Sequence, residues 1–209
     1  MRICEVGGCN NKYYAKGYCL KHWAQHRRYG KILKRTIQDP NEIVIKADCA
    51  EVVLYNIKSK EKARTIIDLA DVGKIKHFKW YAIKRQGCLV VGTMSKGALE
   101  YMPNIIMNFN SNRFKMIDHR DRNPLNNRRA NLRVCNQSQN QMNKKIPKNN
   151  TSGYKGVCWV KNRKTWKACI RANGENLYLG SFKDKIDAAQ AYNKAAIKHF
   201  GEFACLNSI

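Results

Sequence analysis

Between residues 116 and 143 the chain reads MIDHRDRNPLNNRRANLRVCNQSQNQMN. One aspartate-histidine pair, Asp118-His119, is followed by a run of asparagines and arginines. An imidazole titrates near neutrality and can take a proton from water. Asparagine is a poor acid, base or nucleophile. Its abundance around one Asp-His pair implies either a polar loop or a site where amides hold geometry and a metal ion carries the charge.

A second set of chemically capable residues lies at the start. The spacing Cys4-x4-Cys9-x9-Cys19-x2-His22 offers three thiolates and one imidazole, a full tetrahedral set for a structural Zn2+. So short and polar a segment buries too little apolar surface to fold alone, so the metal would supply the folding energy. Gly7, Gly8 and Gly17 permit the turns that aim the sulfurs inward. His26 lies one helical turn after His22 and could close the site instead; the short CxxH knuckle favours His22. Lys21, Arg27, Arg28 and Lys31 would decorate a following helix that can lie against phosphates.

The partner is implied by charge. Lys plus Arg is 40 and Asp plus Glu is 15, a net charge of +25, and nucleic acid is the anion that such an excess meets by default. Residues 39–100 carry eleven basic and eight acidic side chains, whereas residues 111–145 carry nine against two and residues 148–171 seven against none. Basic modules therefore flank a nearly balanced segment, as in a protein that follows a phosphate backbone over some distance. The N-terminus lacks the apolar run of a signal peptide and no stretch reaches the length of a membrane span. Nine cysteines, several of them single in apparent strands, suit a reducing interior. The expectation is an intracellular protein, neither secreted nor bound to membrane.

The elements that must position these residues read as an α+β multi-module chain. Residues 1–38 form the zinc knot, a module in contact with DNA. Residues 39–112 form an α+β segment: two strands turning near Asp48, a strand and short helix in ARTIIDLADVGKIKHFKWY, and a hairpin at Gly87. Phe78, Trp80 and Tyr81 belong to its core, His77 is structural, and it carries no chemistry of its own. Residues 113–146 contain an apolar run ending at Asp118-His119, a polar loop, the strand NLRVC, and a helix capped by Asn136 or Ser138. Residues 147–209 contain a basic linker, three strands and a helix from about 184 to 200 bearing Ile186, Ala189, Ala196 and Phe200 on one face.

The third module resembles the catalytic core of the HNH endonucleases, in the branch found in intron-encoded and phage homing enzymes of mobile elements. The match is carried by DHxDxNPLNNRxxNLRVC and QNQxN. The resemblance implies a ββα-metal finger in which His119 is the base, Asn131 structural, and Asp118 and Asn140 metal ligands. Their hard oxygens suit Mg2+ or Mn2+ better than zinc. Neighbours in a regular strand point opposite ways, so Asp118 and His119 are expected to converge because the strand ends there. The implied reaction is hydrolysis of a DNA phosphodiester to a 5′-phosphate and a 3′-hydroxyl, with Arg120, Arg122, Arg128 and Arg129 clamping flanking phosphates. Relatives of this branch carry a His-Arg pair in a helix just upstream; here Pro103 and Asn104 stand in its place.

The last module resembles the ethylene-response-factor (APETALA-type) DNA-binding domain, through YKGV, YLGSF, AAxAYNxAA and FGEFAxLN. The resemblance implies a three-stranded antiparallel sheet backed by one helix, with its other face in a major groove of double-stranded DNA. Alternation turns Trp166, Ala168 and Ile170 toward the helix and Lys167, Cys169 and Arg171 outward. Arg171 and Tyr178 match positions where the plant domains contact DNA, whereas first-strand arginines of those domains are replaced by Cys158 and Val160. Lys155, Lys161, Arg163 and Lys164 are the expected phosphate contacts, and Trp159 is read as packing. The whole reads as a monomeric, site-directed, metal-dependent endonuclease of homing type that nicks one strand per active site. The other reading is a DNA-binding regulator without effective cleavage.

Overall fold

The computed structural model describes residues 2–33, 39–56, 60–85, 87–95, 97–147 and 149–209. The expected boundary at residue 38 lies outside them. Helix α1 (Leu20–Tyr29) follows the cysteine knuckles and stops at Gly30, whose left-handed backbone ends it.

The central segment is two small antiparallel sheets with short helices at their edges. Strands β1 (Ile43–Ile45), β2 (Ala50–Tyr55) and β3 (Glu61–Ile67) form one sheet in that order, and β1 turns into β2 around Asp48 as expected. Helix α2 (Val72–Ile75) follows. Strands β4 (Tyr81–Arg85), β5 (Cys88–Ser95) and β6 (Ala98–Tyr101) form the second sheet. The hairpin turns at Gly87, with φ +84°. The sequence reading missed β6, because Ala-Leu-Glu-Tyr has few of the branched residues that mark a strand. Trp80 is 1% exposed and donates its indole N–H to Ile75 O at 2.9 Å, so it is core as expected. Helix α3 (Met102–Met107) contains Pro103 and Asn104 and ends at Asn108 in the left-handed region.

Strands β7 (Met116–His119) and β8 (Leu132–Cys135) pair antiparallel, and α4 (Gln137–Met142) follows. Asn136 is the cap: its side chain accepts from Gln139 N and the Gln139 side chain accepts from Asn136 N. This finger shares a core with the central segment. Leu132 is buried with Val52, Ile67, Trp80, Met102 and Ile106, and Ile117 and Leu125 pack on the same cluster.

The C-terminal region is a sheet ordered β11-β10-β9, made from β9 (Val157–Val160), β10 (Thr165–Ala172) and β11 (Glu175–Phe182). Helix α5 (Lys185–Phe200) starts from an Asp184 cap and lies across one face. Ala188, Ala189, Tyr192 and Ala196 make that contact, whereas Ile186, expected on the inner face, is exposed. The helix sits close: a Cβ on Gly156 would fall 2.1 Å from the Tyr192 ring. No described helix is long and apolar enough to cross a membrane.

Candidate active site

β7 ends at His119, as expected, but its pairing stays regular to that end, with Asp118 opposite Arg133 and His119 opposite Leu132. Contrary to expectation, the two side chains therefore leave the hairpin on opposite faces. Asp118 faces α4 and the C-terminal region, and His119 faces the central segment.

On its face the Asp118 carboxylate is only 7% exposed. Oδ2 accepts from Arg133 Nε at 3.0 Å and Nη2 at 2.9 Å, and Asn143 Nδ2 lies 3.0 Å from Oδ2 and 3.2 Å from Oδ1. Arg133 is held in turn by the C-terminal region: it donates to Glu202 O, and its guanidinium lies 3.9 Å from the Phe203 ring centroid. Asn140 is on this side too, its amide nitrogen 3.3 Å from Met116 Sδ. A carboxylate and an amide give the hard oxygens that a divalent cation requires, and Oδ1, with its single weak contact, is the oxygen left for one. The donor chemistry fits, with Asp118 as a one-oxygen ligand.

On the opposite face, His119 Nε2 lies 3.1 Å from Asn127 Oδ1. Asn127 is fully buried and donates from Nδ2 to Thr65 Oγ1 of β3 at 2.8 Å. Burial pulls the imidazole below its ordinary value of 6.5, against the opposing pull of Asn127, Asp118 and Asp121. Asn131 does not touch the ring. Its side chain accepts from Asp121 N and donates to Asp121 Oδ1 and Asn126 O, which ties the loop between the strands. Burial raises Asp121, but donors from Asn123, Asn126 and Asn131 outweigh it and leave the carboxyl below 3.8.

Sequence reading missed four of these residues. Asn127 stands in the polar loop beside Asn126, and nothing in its sequence neighbourhood marks it as the buried one of the two. Asn143 is one helical turn past Asn140, so the helical period alone could have found it. Arg133 and Thr65 carried no local signal, since their partners lie 15 and 62 residues away.

The loop arginines are mostly committed within the protein. Arg128 pairs with Asp48 and Asp68, both at 2.8 Å, and Arg129 pairs with Asp71 at 2.6 Å. Arg120 meets Glu202 at 2.5 Å, and Arg122 donates to Cys205 Sγ at 2.8 Å. Lys155 donates to Met142 O and Lys144 O, bridging finger and sheet module. In contrast, Lys161, Arg163 and Lys164 are exposed on the turn after β9, and Arg171 and Tyr178 are exposed on the sheet face away from α5. Lys167, half-buried, lies on that same face with its Nζ 5.9 Å from the Tyr178 ring centroid.

Among the described residues, Cys4, Cys9, Cys19 and His22 bring their ligand atoms within 4.8 Å of one another. Cys9 and Cys19 sulfurs are 3.9 Å apart, and His22 Nδ1 lies 3.2 Å from Cys4 Sγ and 3.6 Å from Cys19 Sγ. A tetrahedral zinc with bonds of about 2.3 Å to sulfur and 2.0 Å to nitrogen requires separations of roughly 3.8 and 3.5 Å. His26 is exposed and stacks on Tyr18 instead. Gly17, with φ +84°, admits the carboxylate of Glu5 where a Cβ would stand.

Similarity to known proteins agrees with this geometry. A family model described as HNH endonuclease matches residues 111–142, the segment that spans β7, the loop, β8 and α4. Protein 3.8 of Escherichia phage T7 is 38% identical over 88 residues, 42% of this chain and 72% of that protein. The chain belongs to the family of that phage protein and carries an HNH endonuclease domain. An uncharacterized HNH endonuclease of Acanthamoeba polyphaga mimivirus, L560, is 38% identical over 93 residues, 44% of this chain and 47% of that one. APETALA2-like protein 2 of Oryza sativa is 38% identical over 61 residues, 29% of this chain and 14% of that protein. No solved structure matches significantly.

Proposed function

We propose that the protein is a site-directed DNA endonuclease of homing type, with four modules over residues 1–38, 39–112, 113–146 and 147–209. The observation that carries this reading is His119: half-buried, held by Asn127, and inside the HNH segment. His119 takes a proton from a water molecule, and the hydroxide attacks phosphorus in line. The P–O3′ bond breaks and the departing 3′ oxygen takes a proton from solvent, leaving a 5′-phosphate and a 3′-hydroxyl. Asn131 keeps the loop closed around the site. Asp118 and Asn140 are the residues that would hold Mg2+ or Mn2+, and a bound ion would supply positive charge to the phosphorus and the departing oxygen once the end of β7 turns to bring its face to that of His119.

The Cys4-Cys9-Cys19-His22 cluster holds a structural Zn2+, since its four ligands leave no open coordination position. Lys161, Arg163 and Lys164 meet phosphates, and the outer sheet face with Lys167, Arg171 and Tyr178 meets double-stranded DNA. One active site per chain makes a monomer that nicks one strand.

A second reading, a DNA-binding regulator with weak or no cleavage, is favoured by one feature: Arg133 already neutralises Asp118. Incubation with supercoiled plasmid or genomic DNA, with Mg2+ and then EDTA, separates the two. The expected result is nicking that needs Mg2+ and falls about 10²- to 10⁴-fold in His119→Ala, the range a general base contributes. Absence of Mg2+-dependent cleavage on any DNA, or His119→Ala behaving as wild type, would overturn the nuclease reading.

A further inference from the structure

The hydrogen bonds behind His119 have a direction that their last member dictates. Leu125 O can only accept, so the Thr65 hydroxyl, 2.8 Å away, donates to it. Thr65 Oγ1 is then left to accept from Asn127 Nδ2 at 2.8 Å. The second neighbour of that nitrogen, Pro124 O, is another carbonyl; at 3.3 Å it favours the same orientation more weakly. Asn127 therefore presents Oδ1 to the imidazole, and an amide oxygen accepts only. The single proton of neutral His119 must sit on Nε2, and the lone pair on Nδ1.

We propose that Thr65, acting through Asn127, is a positioning residue that holds His119 in the tautomer whose Nδ1 takes the proton. The sheet β1-β2-β3 is thereby a working part of the active site and not a spacer between DNA-contact modules. This deepens the nuclease reading and rests on His119 as its base.

The surroundings suit the role. Thr65 and Asn127 are both fully buried, so no water competes for the relay. β3 also grips the loop through its backbone on both sides of Asn126: Ile66 N donates to Leu125 O, and Asn127 N donates to Ile66 O, each at 2.8 Å. The loop that carries Asn127 is thus stitched to the same strand that carries Thr65. Any drift of the sheet moves the amide and turns the ring.

Thr65→Val keeps the shape and removes only the hydroxyl. It orphans no buried group, because Leu125 O keeps the Ile66 N–H and Asn127 Nδ2 keeps Pro124 O. The variant should fold, yet the amide loses its main anchor and can turn over.

The test uses the full chain with 15N-labelled histidine, read well above the ordinary imidazole value, beside plasmid nicking kinetics and a melting curve. His119 of the wild type is expected to carry its proton on Nε2. Thr65→Val should mix the two tautomers and lower kcat about tenfold, the lower end of what supporting partners of site residues carry. KM and the melting temperature should stay near wild type, and Thr65→Ser should restore both tautomer and kcat. A wild-type proton on Nδ1, or a Thr65→Val protein with unaltered tautomer and kcat, overturns the proposal. Should the tautomer shift as expected while even the wild type cuts no DNA, the relay stands and the nuclease reading falls.

Discussion

His119 shows how much a single side chain depends on what surrounds it. Its neighbours pull both ways, and burial wins, so the imidazole gives up its proton below the ordinary 6.5. As the proposed base, His119 works in its neutral form. With the folded value depressed, that form persists under pH 6.5 and is lost as the pH falls through the lower value. The kcat/KM profile for nicking should therefore have its acid limb below 6.5, measured at constant ionic strength. The same depression makes the stability contribution of the ring complete above 6.5 and lost as the pH drops. An acid limb above 6.5 would mean that the carboxylates Asp118 and Asp121 outweigh burial. Asn131 illustrates a different lesson, since it stands where the motif demands but serves the loop and not the ring.

Among the elements, the N-terminal knuckles and the finger are held in unlike ways. The knuckles have almost no apolar interior; Cys4 and Cys19 are their buried side chains together with Gln25 of α1. The Zn2+ proposed for the cluster would supply most of the folding energy of this segment. Cys9→Ser is expected to lose one zinc per chain and to unfold residues 2–33, read by metal analysis and by amide exchange. Zinc-free protein with those amides still protected would sink the assignment. The finger, in contrast, borrows its interior: Leu132 and Ile117 pack into the cluster around Trp80, so its hairpin is stable through the central sheets.

Over the whole molecule, charge is spent before DNA arrives. Arg128 and Arg129, which look like phosphate clamps in the sequence, tie the finger to Asp48, Asp68 and Asp71 of the central segment. Arg133 ties it to the C-terminal region while it neutralises Asp118, with side chains 5% and 8% exposed. Removing the arginine alone leaves an unpaired carboxylate in a buried place. Arg133→Leu should therefore lose about 3–5 kcal/mol of stability in denaturant unfolding. Arg133→Leu with Asp118→Asn should recover much of that loss, because the buried charge goes with its partner. Equal stability of the single variant and wild type would show that the pair is not buried in solution.

The Cys/His cluster and the strand-helix pattern of the C-terminal sheet were legible in the sequence, because each rests on local spacing. Four ligand residues within nineteen positions close on one another through tight turns. Period and turn chemistry likewise place β9, β10, β11 and α5 without help from afar. That His119 lies in an HNH segment was legible too, from its motif. What only the tertiary structure decided is what each site residue touches. Asp118 meets Arg133, His119 meets Asn127, and Asn127 meets Thr65, across separations of 15, 8 and 62 residues. A motif records the residue types a reaction needs at short range. It cannot record a buried partner from another element, because such a partner is chosen by packing and burial and not by neighbourhood along the chain.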